Sequence, residues 1–93
     1  MIKRIGNNLI IGGLFSEVNG EKCNNLAIID RNGIINKEFL KGMGKGPNHE
    51  VTSILPFSSG NKHYAIITGN FNKYDDTPVG KIVKINIPAF YEY

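Results

Sequence analysis

Apolar residues in this sequence are concentrated in five short runs, separated by glycine, asparagine, aspartate and serine. The runs cover residues 9–15, 25–30, 51–57, 63–71 and 81–87 and are rich in isoleucine, valine and aromatic residues. Runs of this length and composition are typical of β-strands. The stretch with the best helical periodicity, residues 36–41, is short and is followed by three closely spaced glycines. The pattern therefore predicts an all-β fold built from antiparallel strands.

Turn residues separate these runs. Asn19-Gly20 is typical of a tight hairpin turn, because both central residues of that turn need positive φ angles. Residues 30–33 and 58–61 have the composition of two further turns. Pro56 cannot donate a backbone hydrogen bond, which favours an edge position for the strand that contains it. Residues 64–67 are apolar at consecutive positions, which predicts a central strand covered on both faces.

The second half of the chain resembles the first half. When the sequence is shifted so that Ile10 falls on Ile66, IIGGLF of residues 10–15 lies on IITGNF of residues 66–71. The same shift, which we call the repeat offset, also places residues 26–30 on residues 82–86. Periods of about 50 residues are typical of propellers, solenoids and arrays, in which one unit cannot bury its apolar face alone. We therefore predict a single domain, residues 1–93, with one repeat unit over residues 1–46 and another over residues 47–93.

The stretch IIGGLF, an Asn-Gly turn and NNLAIIDRNG resembles the bacterial delta-sixty propeller-like repeat. In that family a phenylalanine, a Gly-x-Gly and a strand led by valine follow, and here they correspond to Phe39, residues 42–44 and Val51. The second copy departs from the pattern, since Asp75-Asp76 replaces the Asn-Gly turn. The resemblance implies blades of about four antiparallel strands around an axis. It implies little about function, because one fold serves many functions.

Fewer than two complete blades fit in this chain, whereas a propeller needs about four to eight. The fold is therefore expected to be incomplete as a single-chain propeller and to expose strand edges and apolar faces. We expect the fold to be completed in a homo-oligomer, for example a ring of about six blades from three copies. The alternative is completion within a larger virion, surface or multi-protein assembly. The expected interface residues are Met1, Ile2, Phe90, Tyr91 and Tyr93. The expected packing residues of the repeats are Gly13, Phe15, Gly69 and Phe71.

Composition and charge narrow the choice of function. The chain carries 11 basic and 8 acidic residues, a net charge of +3, and a single cysteine, Cys23. The basic excess lies in the first half and most aromatic residues lie in the second, which argues against an interleaved basic and aromatic nucleic-acid surface. No signal peptide or membrane-spanning run is recognisable, so a soluble protein is expected; its compartment stays unknown.

Candidate catalytic and metal-binding motifs are incomplete. Residues 42–46 lack the hydroxyl residue of a phosphate-binding loop, and His49 and His63 have no third convergent ligand. Asp75-Asp76 is explained by turn chemistry. We therefore predict a non-enzymatic structural or interaction module without a cofactor.

Two alternatives remain. One is a lectin-like module whose repeated loops bind carbohydrate or another small ligand through Asn19, Tyr74 and Asp75. The other is a small basic nucleic-acid-binding β domain.

Overall fold

The computed structural model describes residues 1–87, which form ten β-strands and one short helix. The all-β prediction is confirmed, and every strand pairing in the two larger sheets is antiparallel. The elements are β1 (Ile2–Ile5), β2 (Asn8–Gly12), β3 (Glu17–Val18), β4 (Glu21–Lys22), β5 (Leu26–Asp30), α1 (Lys37–Met43), β6 (Val51–Ser59), β7 (Lys62–Gly69), β8 (Lys73–Tyr74), β9 (Thr77–Pro78) and β10 (Ile82–Ile87).

Two three-stranded sheets make up the body of the fold. The first sheet has the order β1-β2-β5 and the second has the order β6-β7-β10. Strand β6, which contains Pro56, is an edge strand, and β7 is central, as the sequence predicts. The expectation that β7 is covered on both faces is wrong for these residues. Ala65 and Ile67 are fully buried, but Tyr64 and Ile66 on the opposite face are only half-buried.

A small hairpin lies between the second and third strands of each sheet, at the same place in both. The repeat offset carries β3 onto β8, β4 onto β9 and the start of β5 onto the start of β10. The turn residues Asn19 and Gly20 have φ angles of 50° and 84°, and Asp75 and Asp76 have φ angles of 50° and 64°. Aspartate tolerates this left-handed region better than most residues, so the second hairpin keeps its turn without a glycine.

The first strands of the two sheets do not follow the repeat offset. Ile5 of β1 pairs with Asn8, and the corresponding pair in the second sheet is Phe57 with Tyr64. Beyond that pair, β6 and β7 continue for two more pairs before their turn at Gly60. Residues of β1 therefore correspond to residues of β6 by a different shift, in which Ile5 falls on Phe57 and Ile2 falls on Ile54.

The core lies between the two sheets. Their inner faces belong to one cluster of buried side chains, to which Phe71 and two residues of α1 are added. A smaller cluster of Cys23, Ala27 and Ile35 covers one end of the outer face of the first sheet. The members of the main cluster are Ile5, Ile10, Leu26, Ile28, Phe39, Met43, Val51, Ile54, Ala65, Ile67, Phe71, Ile85 and Ile87.

Helix α1 was not predicted from the sequence. The Asn36 side chain caps its first turn by accepting a hydrogen bond from the backbone N–H of Phe39 at 2.9 Å. Gly44, with a φ angle of 64°, ends the helix and donates its N–H to the carbonyl of Leu40. Phe39 and Met43 lie one turn apart and are both buried. Burial of this apolar pair stabilises a helix that is too short to form alone.

Candidate functional site

The outer face of the first sheet carries apolar side chains that are only partly covered. The strand register places Ile2 beside Ile11, and Leu9 beside Ile29. Ile2 is 63% exposed, and the other three are half-buried. We call Ile2, Leu9, Ile11 and Ile29 the head face. Contiguous exposed apolar surface of this kind commonly marks a site of interaction.

The outer face of the second sheet also carries exposed apolar side chains, beside the polar residues Thr68, Lys84 and Asn86. Leu55 and Ile82 are both 60% exposed, on the two edge strands of the sheet, and half-buried Ile66 lies between them. Phe57 stacks on Tyr64 with ring centroids 5.3 Å apart. We call Leu55, Phe57, Tyr64, Ile66 and Ile82 the tail face. The head and tail faces lie on opposite outer sides of the two packed sheets.

The structure describes two of the five predicted interface residues. Ile2 belongs to the head face, and Met1 is 48% exposed. Met1 extends the ladder of β1, because its amino group donates to the carbonyl of Gly12 and its own carbonyl accepts from the N–H of Gly12. The other three, Phe90, Tyr91 and Tyr93, lie outside the described residues.

The four predicted packing residues have unequal surroundings. Phe71 is fully buried in the main core, whereas Phe15 is half-buried against the smaller cluster. A Cβ atom on Gly69 would lie 2.9 Å from the Cα of Val51, so backbone passes directly over this glycine. At Gly13 the nearest atom to such a Cβ is a ring carbon of Phe15 at 3.5 Å, an ordinary contact.

The three residues of the predicted ligand loops do not converge on one site. Asn19 donates a hydrogen bond from its side chain to the carbonyl of Gly33 at 2.8 Å. The Asp75 carboxylate accepts the backbone N–H of Lys45 at 3.0 Å. Tyr74 packs against the main core. Each residue therefore supports the local fold, and the two equivalent loops present different chemistry.

Polar and charged groups of the second hairpin contact Lys45, which lies in the segment between α1 and β6. Burial raises the pKa of the Tyr74 hydroxyl to about 12, with a smaller contribution from the charge of Asp75. The ammonium of Lys45 lies 2.7 Å from the carboxylate of Asp76. Its hydrogen bond lowers the pKa of Asp76. Both groups are exposed, so this ion pair orients the loop and contributes little to stability.

A cavity of about 380 Å³ lies between α1 and the second sheet. Phe39, Met43 and Val83 provide apolar walls, while Glu38 and Lys84 supply charged groups. This arrangement could accept a small amphipathic group, such as an apolar side chain with a polar end. Its charged groups are not positioned as a nucleophile with a base.

The part of the chain that the structure describes contains neither a metal-binding cluster nor a membrane-spanning helix. No three histidine, cysteine, aspartate or glutamate side chains of residues 1–87 are grouped so that they could hold a metal ion. No helix in this range has the length and apolar character needed to cross a membrane. The single cysteine, Cys23, is buried, and burial raises the pKa of its thiol.

Sequence reasoning missed the exposed members of the tail face, Leu55 and Ile82. Phe57, another residue of this face, is 37% exposed. The repeat offset relates Ile82 to Leu26, and only the structure shows that Leu26 is buried while Ile82 is exposed. Comparison of the chain with family models, curated proteins and solved structures finds no match.

Proposed function

We propose that this chain is a non-enzymatic structural module that acts by associating with protein through its exposed sheet faces. The observation that carries this proposal is the tail face, on which Leu55 and Ile82 are each 60% exposed around half-buried Ile66. Burying one such side chain contributes about 1.5–3 kcal/mol. Association that covers this face removes these apolar side chains from water, and this favours association.

The proposal gives the repeated loops a structural role. The side chains of Asn19 and Asp75 are occupied by contacts within the fold, and Tyr74 packs on the core. The assembly is expected to be either a homo-oligomer or a larger set of proteins in which this chain occupies a fixed position.

Light scattering on a sizing column across a dilution series tests the proposal. We expect a mass above that of the 10.3 kDa chain, falling as the protein is diluted. Leu55→Glu places a charge on the tail face and should lower the mass at a given concentration. Leu14→Glu is the matched control, because Leu14 is 66% exposed but lies in the loop after β2. A wild-type chain that stays monomeric at every concentration and binds no apolar dye would contradict the proposal.

A further inference from the structure

The two sheets already make one extensive contact inside the molecule. Fully buried Ile10 and Ile28 of the first sheet lie in the same cluster as Ile54 and Ile67 of the second. A Cβ atom on Gly12 would lie 2.7 Å from Cγ1 of Val51 and 3.0 Å from Cδ1 of Ile54. The backbone N–H of Val51 also donates to the carbonyl of Gly13 at 3.1 Å. The inner faces of the sheets are therefore closely fitted to each other.

The head face corresponds, residue by residue, to the inner face of the second sheet. Strand register and the repeat offset together assign a counterpart to each of its residues and to neighbouring Ala27, and every pair is apolar. A surface that resembles the head face is thus already buried within the molecule. The corresponding pairs are Ile2 and Ile54, Leu9 and Ala65, Ile11 and Ile67, Ala27 and Val83, and Ile29 and Ile85.

The tail face corresponds in the same way to the inner face of the first sheet. Three of its residues occupy positions that are apolar and buried in the first sheet, whereas Leu55 and Tyr64 occupy positions that are a lysine and an asparagine there. The tail face is thus a second copy of the surface that fits against the inner face of the second sheet. The corresponding pairs are Phe57 and Ile5, Tyr64 and Asn8, Ile66 and Ile10, Ile82 and Leu26, and Leu55 and Lys3, and neighbouring Thr68 corresponds to Gly12.

We propose that a second copy of this chain covers the tail face with its own head face, repeating between molecules the contact that the two sheets make within one molecule. This inference rests on the proposed function and specifies the partner and the geometry. The two faces differ from each other, so the contact is head to tail, and a bound pair still presents one free face of each kind. Such contacts extend until they close into a ring or continue as a filament.

One positive charge lies within the proposed contact and another borders it. Lys84 of the outer side of β10 stands where Ile28 is buried in the internal contact, and Arg4 beside the head face stands where Pro56 lies. Each has a partner within its own chain. The Lys84 ammonium lies 4.3 Å from the centroid of the Tyr64 ring, and Arg4 Nε donates to the carbonyl of Gly6 at 3.1 Å. Because like charges near the interface oppose association, added salt should strengthen it.

Blocking each face separately gives the decisive experiment. Ile2→Glu blocks the head face, and Leu55→Glu blocks the tail face; both sites are more than half exposed, so the monomer should still fold. Circular dichroism and thermal melts establish that each variant is folded. Each variant alone should be monomeric, because a head-to-tail contact needs one intact face of each kind. A mixture of the two should form a one-to-one dimer and nothing larger.

The outcomes separate this inference from the proposed function. If the Ile2→Glu variant still dimerises alone, association uses two tail faces; the head-to-tail geometry is then wrong, while the proposed function stands. If both blocked variants keep the wild-type mass, neither face is used, and the inference is overturned. If the wild-type chain is monomeric throughout, this inference fails, and the proposed function fails with it only if the chain also binds no apolar dye. Leu14→Glu should keep the wild-type mass, whereas either face variant should lower the association constant by about tenfold or more.

Cross-linking tests the residue correspondence directly. Gly12 approaches Ile54 inside the molecule, so Thr68 of one copy should approach Ile2 of the next. In a Cys23→Ala background, a chain carrying both Ile2→Cys and Thr68→Cys should form covalent multimers with a short thiol cross-linker. A chain carrying Leu14→Cys with Thr68→Cys is the control and should stay monomeric. Equal multimer yields from the two chains would overturn the inference.

A variant that is expected to associate more strongly provides a further test, because misfolding would not produce a gain in association. Lys84→Leu places an apolar residue at the position that corresponds to Ile28 of the internal contact. It should raise the association constant by about tenfold. Lys73→Leu on β8 makes the same change of charge and size away from both faces and should leave the association constant unchanged. Weaker association of the Lys84→Leu variant would contradict the proposed contact.

Discussion

At the scale of single residues, two glycines at equivalent positions differ in what surrounds them. Gly69 lies beneath the backbone of Glu50 and Val51, whereas Gly13 meets only the Phe15 ring. The repeat offset relates the two glycines, so the sequence alone predicts the same role for both. The difference arises because Gly69 is paired with Val51 of β6, next to a register shift between Val51 and Ser53, whereas Gly13 lies just outside the strand pairings of the first sheet.

Gly69→Ala should therefore destabilise the protein and Gly13→Ala should not. A Cβ atom at Gly69 would lie 2.9 Å from the Cα of Val51, and backbone cannot move aside as a flexible side chain can. We expect the free energy of unfolding to fall by about 1–3 kcal/mol for Gly69→Ala. Gly13→Ala should change it by less than about 0.5 kcal/mol. Chemical denaturation of both variants at low protein concentration measures the difference, and equal losses would contradict the close approach.

Burial of Tyr74 makes the free energy of unfolding depend on pH in the alkaline range. Burial raises its pKa from 10.0 to about 12 in the folded state, so between these values the folded protein binds more protons than the unfolded chain. The contribution is complete below pH 10 and is lost as the pH rises to 12. We expect Tyr74→Phe to lose less stability than the wild type over this range, by about 2 kcal/mol. Urea unfolding at pH 7, 10 and 12 provides the comparison; parallel curves for the two proteins would contradict the assignment.

At the scale of elements, the strands and most turns follow from the sequence, and the helix does not. Alternating apolar positions and turn dipeptides specify β-strands and hairpins locally. Helix α1 depends on three features that sequence reasoning did not combine, namely the cap at Asn36, the apolar pair Phe39 and Met43, and the glycine at position 44. A seven-residue helix has little intrinsic stability, so its formation depends on packing that the local sequence does not reveal.

The cap of α1 can be tested by substitution. Asn36→Ala removes the acceptor for the N–H of Phe39 and should lower the free energy of unfolding by about 1 kcal/mol. Asn36→Asp retains an acceptor at this position and should stay close to the wild type. Thermal denaturation of both variants provides the measurement. Equal losses for alanine and aspartate would show that the cap does not contribute.

The candidate faces could be predicted from the sequence only in part. The repeat offset relates Ile11 to Ile67 and Leu26 to Ile82, which identifies residues on both faces. It fails for β1 and β6, because the β6–β7 pairing continues two pairs further toward its turn than the β1–β2 pairing does. Leu55 and Ile2 were therefore not matched with their counterparts. Strand register, which becomes available only with the structure, supplies that correspondence.

At the scale of the whole molecule, the two repeat units share one core instead of having one each. The main cluster takes Ile10 and Ile28 from the first sheet, and Ile54 and Ile67 from the second. Neither sheet can keep its inner face covered when the other unfolds. The shared core explains how two incomplete units form one structure, and it leaves their outer faces available for association.

The shared core predicts that damage to one sheet lowers the stability of both. Ile67 is fully buried in the second sheet, and Ile67→Ala should reduce the free energy of unfolding by about 2–5 kcal/mol. Amide hydrogen exchange should accelerate in β2 and β5 as much as in β7, since both sheets open in one cooperative step. Ile82→Ala, at a site that is 60% exposed on the same sheet, is the control and should leave exchange nearly unchanged in dilute protein. Acceleration confined to β6, β7 and β10 would mean that the sheets unfold independently and that the contact between them is weaker than its burial implies.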